Sequence, residues 1–163
     1  MRIGFRPRFE LSKISHVRLN DVDVLLLQAL WNKGEFLPWD RGAPSPALED
    51  FLVDRKVLIG PCIIDDSAGV KRRKKAFVPG CGRGYDVLLL ASFGYDALGL
   101  EVSESAVKRC FEEKEKHGDK YPAKDPSIGT GHIDFVEGDF FKDDWIARAS
   151  IQQFDLIYDY TVS

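Results

Sequence analysis

Apolar positions recur along this chain with two different periods, and the change from one to the other divides it. In the first part the spacing is helical. Val24, Leu25, Leu27, Leu30 and Trp31 fall on one side of a helix that Asp21 can cap and that runs to about Lys33, where Gly34 ends it. A loop rich in breakers follows, with Pro38, Gly42, Pro44 and Pro46. A second helix is predicted to start near Ser45, with Ala47, Leu48, Phe51 and Leu52 on one side, and Gly60-Pro61 stops what comes next. Residues 65–75 are polar and end in the basic run Lys71-Arg72-Arg73-Lys74-Lys75, which reads as a solvated loop leading into a strand.

From Ala76 onward strands and helices alternate. Ala76-Phe77-Val78 is a short buried strand, Pro79 to Tyr85 a glycine-rich turn, and Asp86 to Phe93 a helix with Gly94 as its C′ residue. Ala97 to Val102 is a second strand. Ser103 caps a helix from Glu104 to His117, with Ala106, Val107, Cys110 and Phe111 as its buried stripe and residues 112–116 as its wet side. Residues 118–131 form a long loop, Ile133 to Glu137 a third strand, Trp145 to Gln153 a short helix, and Phe154 to Tyr160 a fourth strand. This alternation implies an α/β fold with a parallel sheet wound through right-handed crossovers.

The chain has 163 residues, 44% of them apolar and 30% charged, which suits one packed domain. Its net charge of -3 lacks the basic excess of a dedicated nucleic-acid binder. No apolar run exceeds the five residues from Val87 to Ala91, so no membrane span is expected. Cys62, Cys81 and Cys110 are odd in number and widely spaced, and form neither a disulfide framework nor a zinc set. A reducing, cytoplasmic setting follows as the expectation. Arg2, Arg6 and Arg8 bias the amino terminus, but Pro7 and Glu10 break the pattern of a presequence. Residues 1–20 are expected to be a disordered tail and 21–163 the folded domain.

The chemistry-bearing segment is Pro79-Gly80-Cys81-Gly82-Arg83-Gly84-Tyr85-Asp86. It follows a strand and opens a helix, so a ligand there meets amides at a helix N-terminus. A dinucleotide fold requires Gly-x-Gly-x-x-Gly. The register here is Gly-x-Gly-x-Gly, the form typical of S-adenosylmethionine methyltransferases. That register, and the lack of a hydride-transfer set such as Tyr-x-x-x-Lys, disfavour a nicotinamide-dependent oxidoreductase. Glu101, at the end of the second strand and 21 residues after Gly80, can accept hydrogen bonds from both ribose hydroxyls. Asp139, after the third strand, can accept an adenine amino group while Phe140 lies along the base. Asp159, at the fourth strand's end, can lie near the methionine part of the ligand. In a parallel sheet all four strand ends share one rim.

These residues, with Trp31 and Pro38-Trp39-Asp40-Arg41-Gly42, resemble the thiopurine S-methyltransferase superfamily, and most closely its thiol/halide methyltransferase branch. The likeness runs from about Leu25 to Thr161. It implies a Rossmann-like class I methyltransferase fold, of which this chain holds the first four strands behind an amino-terminal helical lid. It also implies S-adenosyl-L-methionine as methyl donor and a small thiol or halide-like anion as acceptor. By matching motif, Trp31 and Trp39 belong to the lid over the donor, and Gly80 and Glu101 bind its methionine and ribose parts. Asp139 and Phe140 flank adenine, and Asp159 is a donor-site acid. Aromatic faces attract cations, which suits Trp39 to a sulfonium. No general base stands out among these motifs.

The family continues beyond the fourth strand. A fourth strand without a further neighbour is an uncovered edge that pairs with other chains. The alternative reading is therefore a truncated, inactive remnant that keeps at most donor binding and self-associates through that edge.

Overall fold

The computed structural model describes residues 40–151 and 153–160. The expected tail and the helix at 21–33 lie outside these residues, as do Trp31 and Trp39.

Helix α1 (Pro46–Asp54) starts with a proline at its first position, where the missing N–H costs nothing, and buries Leu48, Phe51 and Leu52. The single turn α2 (Lys56–Ile59) follows and ends at Gly60. The polar segment at 65–75 is not the solvated loop expected. Strands β1 (Ile63–Asp65) and β2 (Lys71–Arg73) pair antiparallel as a hairpin. Asp66 holds its turn by accepting from the N–H groups of Ala68 and Val70, each at 2.8 Å. The basic run is consumed by named partners. Arg72 grips Asp155 with both terminal nitrogens, at 2.6 and 2.9 Å. Arg73 donates to the carbonyls of Gly94 and Ile128, and Lys74 Nζ to that of Ile59 at 2.5 Å. Composition alone does not reveal that carbonyls ending neighbouring elements wait for these cations.

The main sheet contains β3 (Lys75–Pro79), β4 (Asp96–Glu101), β5 (Ile133–Glu137) and β6 (Leu156–Ile157), all parallel, in the order β5-β4-β3-β6. In chain order that is 3-2-1-4, the central arrangement of a Rossmann-like fold. The order reverses between β3 and β6, and ligands of such sheets bind at that switch point, beyond the carboxyl ends of the strands. β6 is shorter than the Phe154–Tyr160 strand expected. The N–H groups of Asp155 and Tyr158 nevertheless extend its bonding, to the carbonyls of Lys75 and Phe77.

Helices α3 (Tyr85–Ser92) and α4 (Glu104–His117) connect the strands. Every residue of α3 from Val87 to Ser92 is buried, which accounts for its unbroken apolar run. Ser103 caps α4 by accepting from the N–H of Ala106. The expected stripe on α4 is corrected at two places. Phe111 is 43% exposed and meets Phe135 only edge-on, whereas Glu113, expected on the wet side, is largely buried against His117.

Strand alternation sorts the core into two clusters. Ala76, Val78, Ala97, Phe135 and Leu156 point to the face that carries the helices. Phe77, Leu98, Leu100, Val136 and Ile157 point to the other. There the segment after β5 closes the core with Trp145, whose ring stacks on Phe77 at 5.3 Å between centroids, and with Phe154, at 4.7 Å. The helix expected at 145–153 is reduced to a 3-10 turn at Ile146–Arg148. Trp145, Ala149 and Ile151 are all drawn into the Phe77 cluster, and an extended course after Arg148 lets the chain follow it.

Candidate functional site at the sheet's carboxyl rim

The glycine turn leaves β3 at the switch point. Gly80, Gly82 and Gly84 all have positive φ, of 60°, 58° and 83°. Their surroundings differ. A Cβ on Gly84 would lie 2.6 Å from the Phe135 ring, so this glycine lets α3 settle against β5. A Cβ on Gly82 would meet nothing within 4 Å, so the middle of the turn faces open space. Gly99 on β4 is a second packing glycine, with Cys81 Sγ 2.7 Å and Phe135 2.8 Å from where its Cβ would stand.

Glu101 ends β4 beside this turn. Its carboxylate accepts from the N–H of Gly82 at 3.0 Å and of Val102 at 2.9 Å. Burial pushes the carboxyl up, and the two N–H bonds pull it back. A carboxylate has about four acceptor positions, and these two bonds take two of them. The turn's amides are less free than the sequence suggests. Cys81 N–H bonds to the Leu100 carbonyl and Gly84 N–H to that of Cys81, besides Gly82 N–H to Glu101. The turn is thus a preset cradle whose shape is fixed from within.

Asp139 and Phe140 follow β5 on the same rim. Asp139 accepts from the N–H of Phe141 at 3.0 Å and pairs with Lys142 at 3.5 Å. Phe140 is half-buried and packs toward Phe77, 6.0 Å between ring centroids. Asp159 follows Tyr158, which is buried after β6. Gly80, Glu101, Asp139, Phe140 and Asp159 therefore all stand at carboxyl ends of the four parallel strands.

Sequence reading missed how the loop before α1 joins this rim. Asp40 pairs with Arg83 of the glycine turn. Burial, together with the carboxylates of Asp40 and Glu113, pushes the Tyr85 hydroxyl up to about 12. Next to Asp40, Arg41 donates to the Tyr160 hydroxyl and lies over its ring, 4.9 Å from the centroid. Ser45 donates its N–H to Asp86 at the start of α3, at 2.7 Å. Burial pushes the Asp86 carboxyl up, while that N–H and the charge of Arg41 pull it down. Residues 40–45 thus form a strap from the glycine turn to the end of β6, across the switch point. The sequence marks this stretch as a loop by its Pro and Gly, and the resemblance sets its Trp39-Asp40-Arg41 motif near the donor, but neither names the docking partners Arg83, Asp86 and Tyr160. Among the described residues no group of three or more His, Cys, Asp or Glu could hold a metal ion, and no helix is long and apolar enough to cross a membrane.

The chain is similar to several known proteins. The probable thiol methyltransferase 2 of Arabidopsis thaliana is 32% identical over 131 residues, covering 80% of this chain and 45% of that protein. Thiocyanate methyltransferase 1 of Brassica oleracea is 32% identical over 132 residues, covering 81% of this chain and 45% of its own length. The chain therefore spans about 45% of these relatives. Among solved structures, an RNA methyltransferase from Salinibacter ruber in complex with S-adenosyl-L-homocysteine superposes with a TM-score of 0.42 at 18% identity, over 73% of this chain and 60% of that one. The sequence profile of the thiopurine S-methyltransferase (TPMT) family matches residues 28–162, and the chain belongs to that family.

Proposed function

We propose that this chain binds S-adenosyl-L-methionine along the rim and transfers its methyl group to a small thiol-like or pseudohalide acceptor. The observation that supports this most is the pairing of the glycine turn with Glu101 at the switch point of a 3-2-1-4 parallel sheet. The relatives' names, thiol and thiocyanate methyltransferases, support the acceptor class.

Bound there, the donor supplies an electrophilic methyl on a sulfonium. The chain's own residues have simpler tasks. The open side of Gly82 admits the ligand close to the backbone, and the free acceptor positions of Glu101 take the ribose hydroxyls. Asp139 and Phe140 meet the base. Asp159 and Gly80 lie near the methionine part, and Trp31 and Trp39 cover the donor. In-line displacement needs mainly alignment and exclusion of water, so the absence of a general base from the motif set is no obstacle for an acceptor that is already anionic.

Isothermal titration with S-adenosylmethionine or its demethylated product tests the reading. Saturable binding is expected, and Glu101→Ala weakens it by about tenfold or more, since two hydrogen bonds to a charged acceptor are lost. Absence of binding at millimolar ligand overturns it. Donor binding without transfer to any thiol or thiocyanate favours the inactive-remnant reading.

A further inference from the structure

Arg41 is exposed, yet it is held in place. Its guanidinium donates to the Tyr160 hydroxyl and covers that ring, at the carboxyl end of β6. The strap fixes its backbone from both sides, through Asp40 on Arg83 and Ser45 on Asp86. Beneath this junction lie two hydroxyls, Ser45 Oγ and Tyr158 OH, on residues only 6% and 7% exposed. The two side chains face each other: burial pushes the Tyr158 hydroxyl up, and the Ser45 side chain, together with the charge of Arg41, pulls it down. A fixed, solvent-facing guanidinium above this pair, at the switch point of the sheet, is a place for a small anion.

We infer that Arg41 is the acceptor-binding cation of this rim: it holds a small anionic sulfur species, such as thiocyanate or a thiolate, against Tyr160 at the end of β6. This rests on the methyl-transfer reading above and names the substrate class of that same site. The charges around Arg41 decide how tight the grip is. Asp40 is occupied by Arg83. Asp86 faces Arg41 from α3, partly offsets its charge, and has the Ser45 N–H as its own donor. Asp159 lies beside Tyr160, on the same strand end. The attraction is therefore local and modest, and acceptor affinity falls in the millimolar range and weakens with added inert salt.

The step balances without a proton. A lone pair on the acceptor sulfur forms the new bond to the methyl carbon. The sulfonium C–S bond breaks and its electron pair stays on the donor sulfur. An anion and a cation become two neutral thioethers. Negative charge on the acceptor fades as the transition state is reached, so a cation that grips the anion holds the ground state at least as firmly. Loss of Arg41 therefore shows in KM and hardly in kcat.

The test uses the whole chain with the demethylated donor bound, and 13C-labelled thiocyanate observed by NMR. The wild type is expected to show saturable line broadening at millimolar thiocyanate. Arg41→Gln weakens this by about tenfold while leaving the Kd for the donor product and Tm unchanged, and Tyr160→Phe weakens it less. In turnover, Arg41→Gln raises KM for thiocyanate by a similar factor with kcat within about twofold, and Arg41→Lys recovers part of the loss. If the chain binds the donor product but Arg41→Gln takes up thiocyanate as well as the wild type does, this inference fails and the methyltransferase reading stands. It fails in the same way if thiocyanate never saturates. An equal loss of donor affinity in Arg41→Gln marks Arg41 as a latch on the strap and also overturns it. If no donor product binds, both readings fall together.

Discussion

The two faces of the sheet are closed by different means. On one, helices α1, α3 and α4 cover β-strands whose inward residues are mostly small, such as Ala76 and Ala97, with Gly99 between them. Close approach holds this face together, and the tolerance is a fraction of a methyl group. On the other, within the described residues, no α-helix covers the sheet. A run of aromatic rings stacked on Phe77 closes the core, carried by chain with little regular structure. The first face depends on many small fits, and the second on a few large side chains.

That contrast is sharpest where a single residue is removed. Trp145→Ala takes away the largest fully buried side chain of the second face and is expected to cost about 3–5 kcal/mol by urea denaturation. If the loss is below about 1 kcal/mol, the aromatic face is a veneer and the comparison fails. On the first face the sharper probe adds an atom. Gly84→Ala combines a φ of 83° with a Cβ 2.6 Å from the Phe135 ring, and about 2–4 kcal/mol of stability should be lost. Gly82→Ala, with a φ of 58° but open space, should lose only about 1–2 kcal/mol while weakening donor binding as much.

The smallest of these effects concerns the edge where the two faces meet. Burial pushes the Asp155 carboxyl up, but the Arg72 hydrogen bonds and the Lys75 N–H outweigh it and hold it below the usual carboxylate range. Because the folded-state value is depressed, the contribution is complete above the unfolded value of about 4 and is lost as pH falls through the folded value. Asp155→Asn should therefore cost about 1–2 kcal/mol at neutral pH and flatten the acid limb of the stability profile below about pH 4. An unchanged acid limb would remove Asp155 as its source.

How legible each region was follows the same division. Strand β5, helix α4 and the turn between β3 and α3 could be read because local chemistry defines them: Ser103 caps, Gly94 terminates, and the glycines of the turn select its conformation. The parallel order could be inferred from the alternation of elements. What escaped depends on partners distant in sequence. Arg72 finds Asp155 across 83 positions, so a polar run becomes a strand. The burial of Trp145 against Phe77 overrides the helical pattern that follows it. At the site, Gly80, Glu101, Asp139, Phe140 and Asp159 could be placed by their strand ends. The strap escaped notice because nothing near Arg41 in sequence announces Tyr160, 119 residues away.

The central position of β3 has a temporal consequence. It bonds to β4 on one side, about 20 residues downstream, and to β6 on the other, with Lys75 and Asp155 bonded across 80 residues. At ribosomal speeds of about 5–20 residues per second, the second edge of β3 waits several seconds for its mate after the first is filled. During that interval the nascent chain presents an apolar strand with an open side, and it is then that a chaperone, or a neighbouring chain on the same polysome, has its opportunity to engage it.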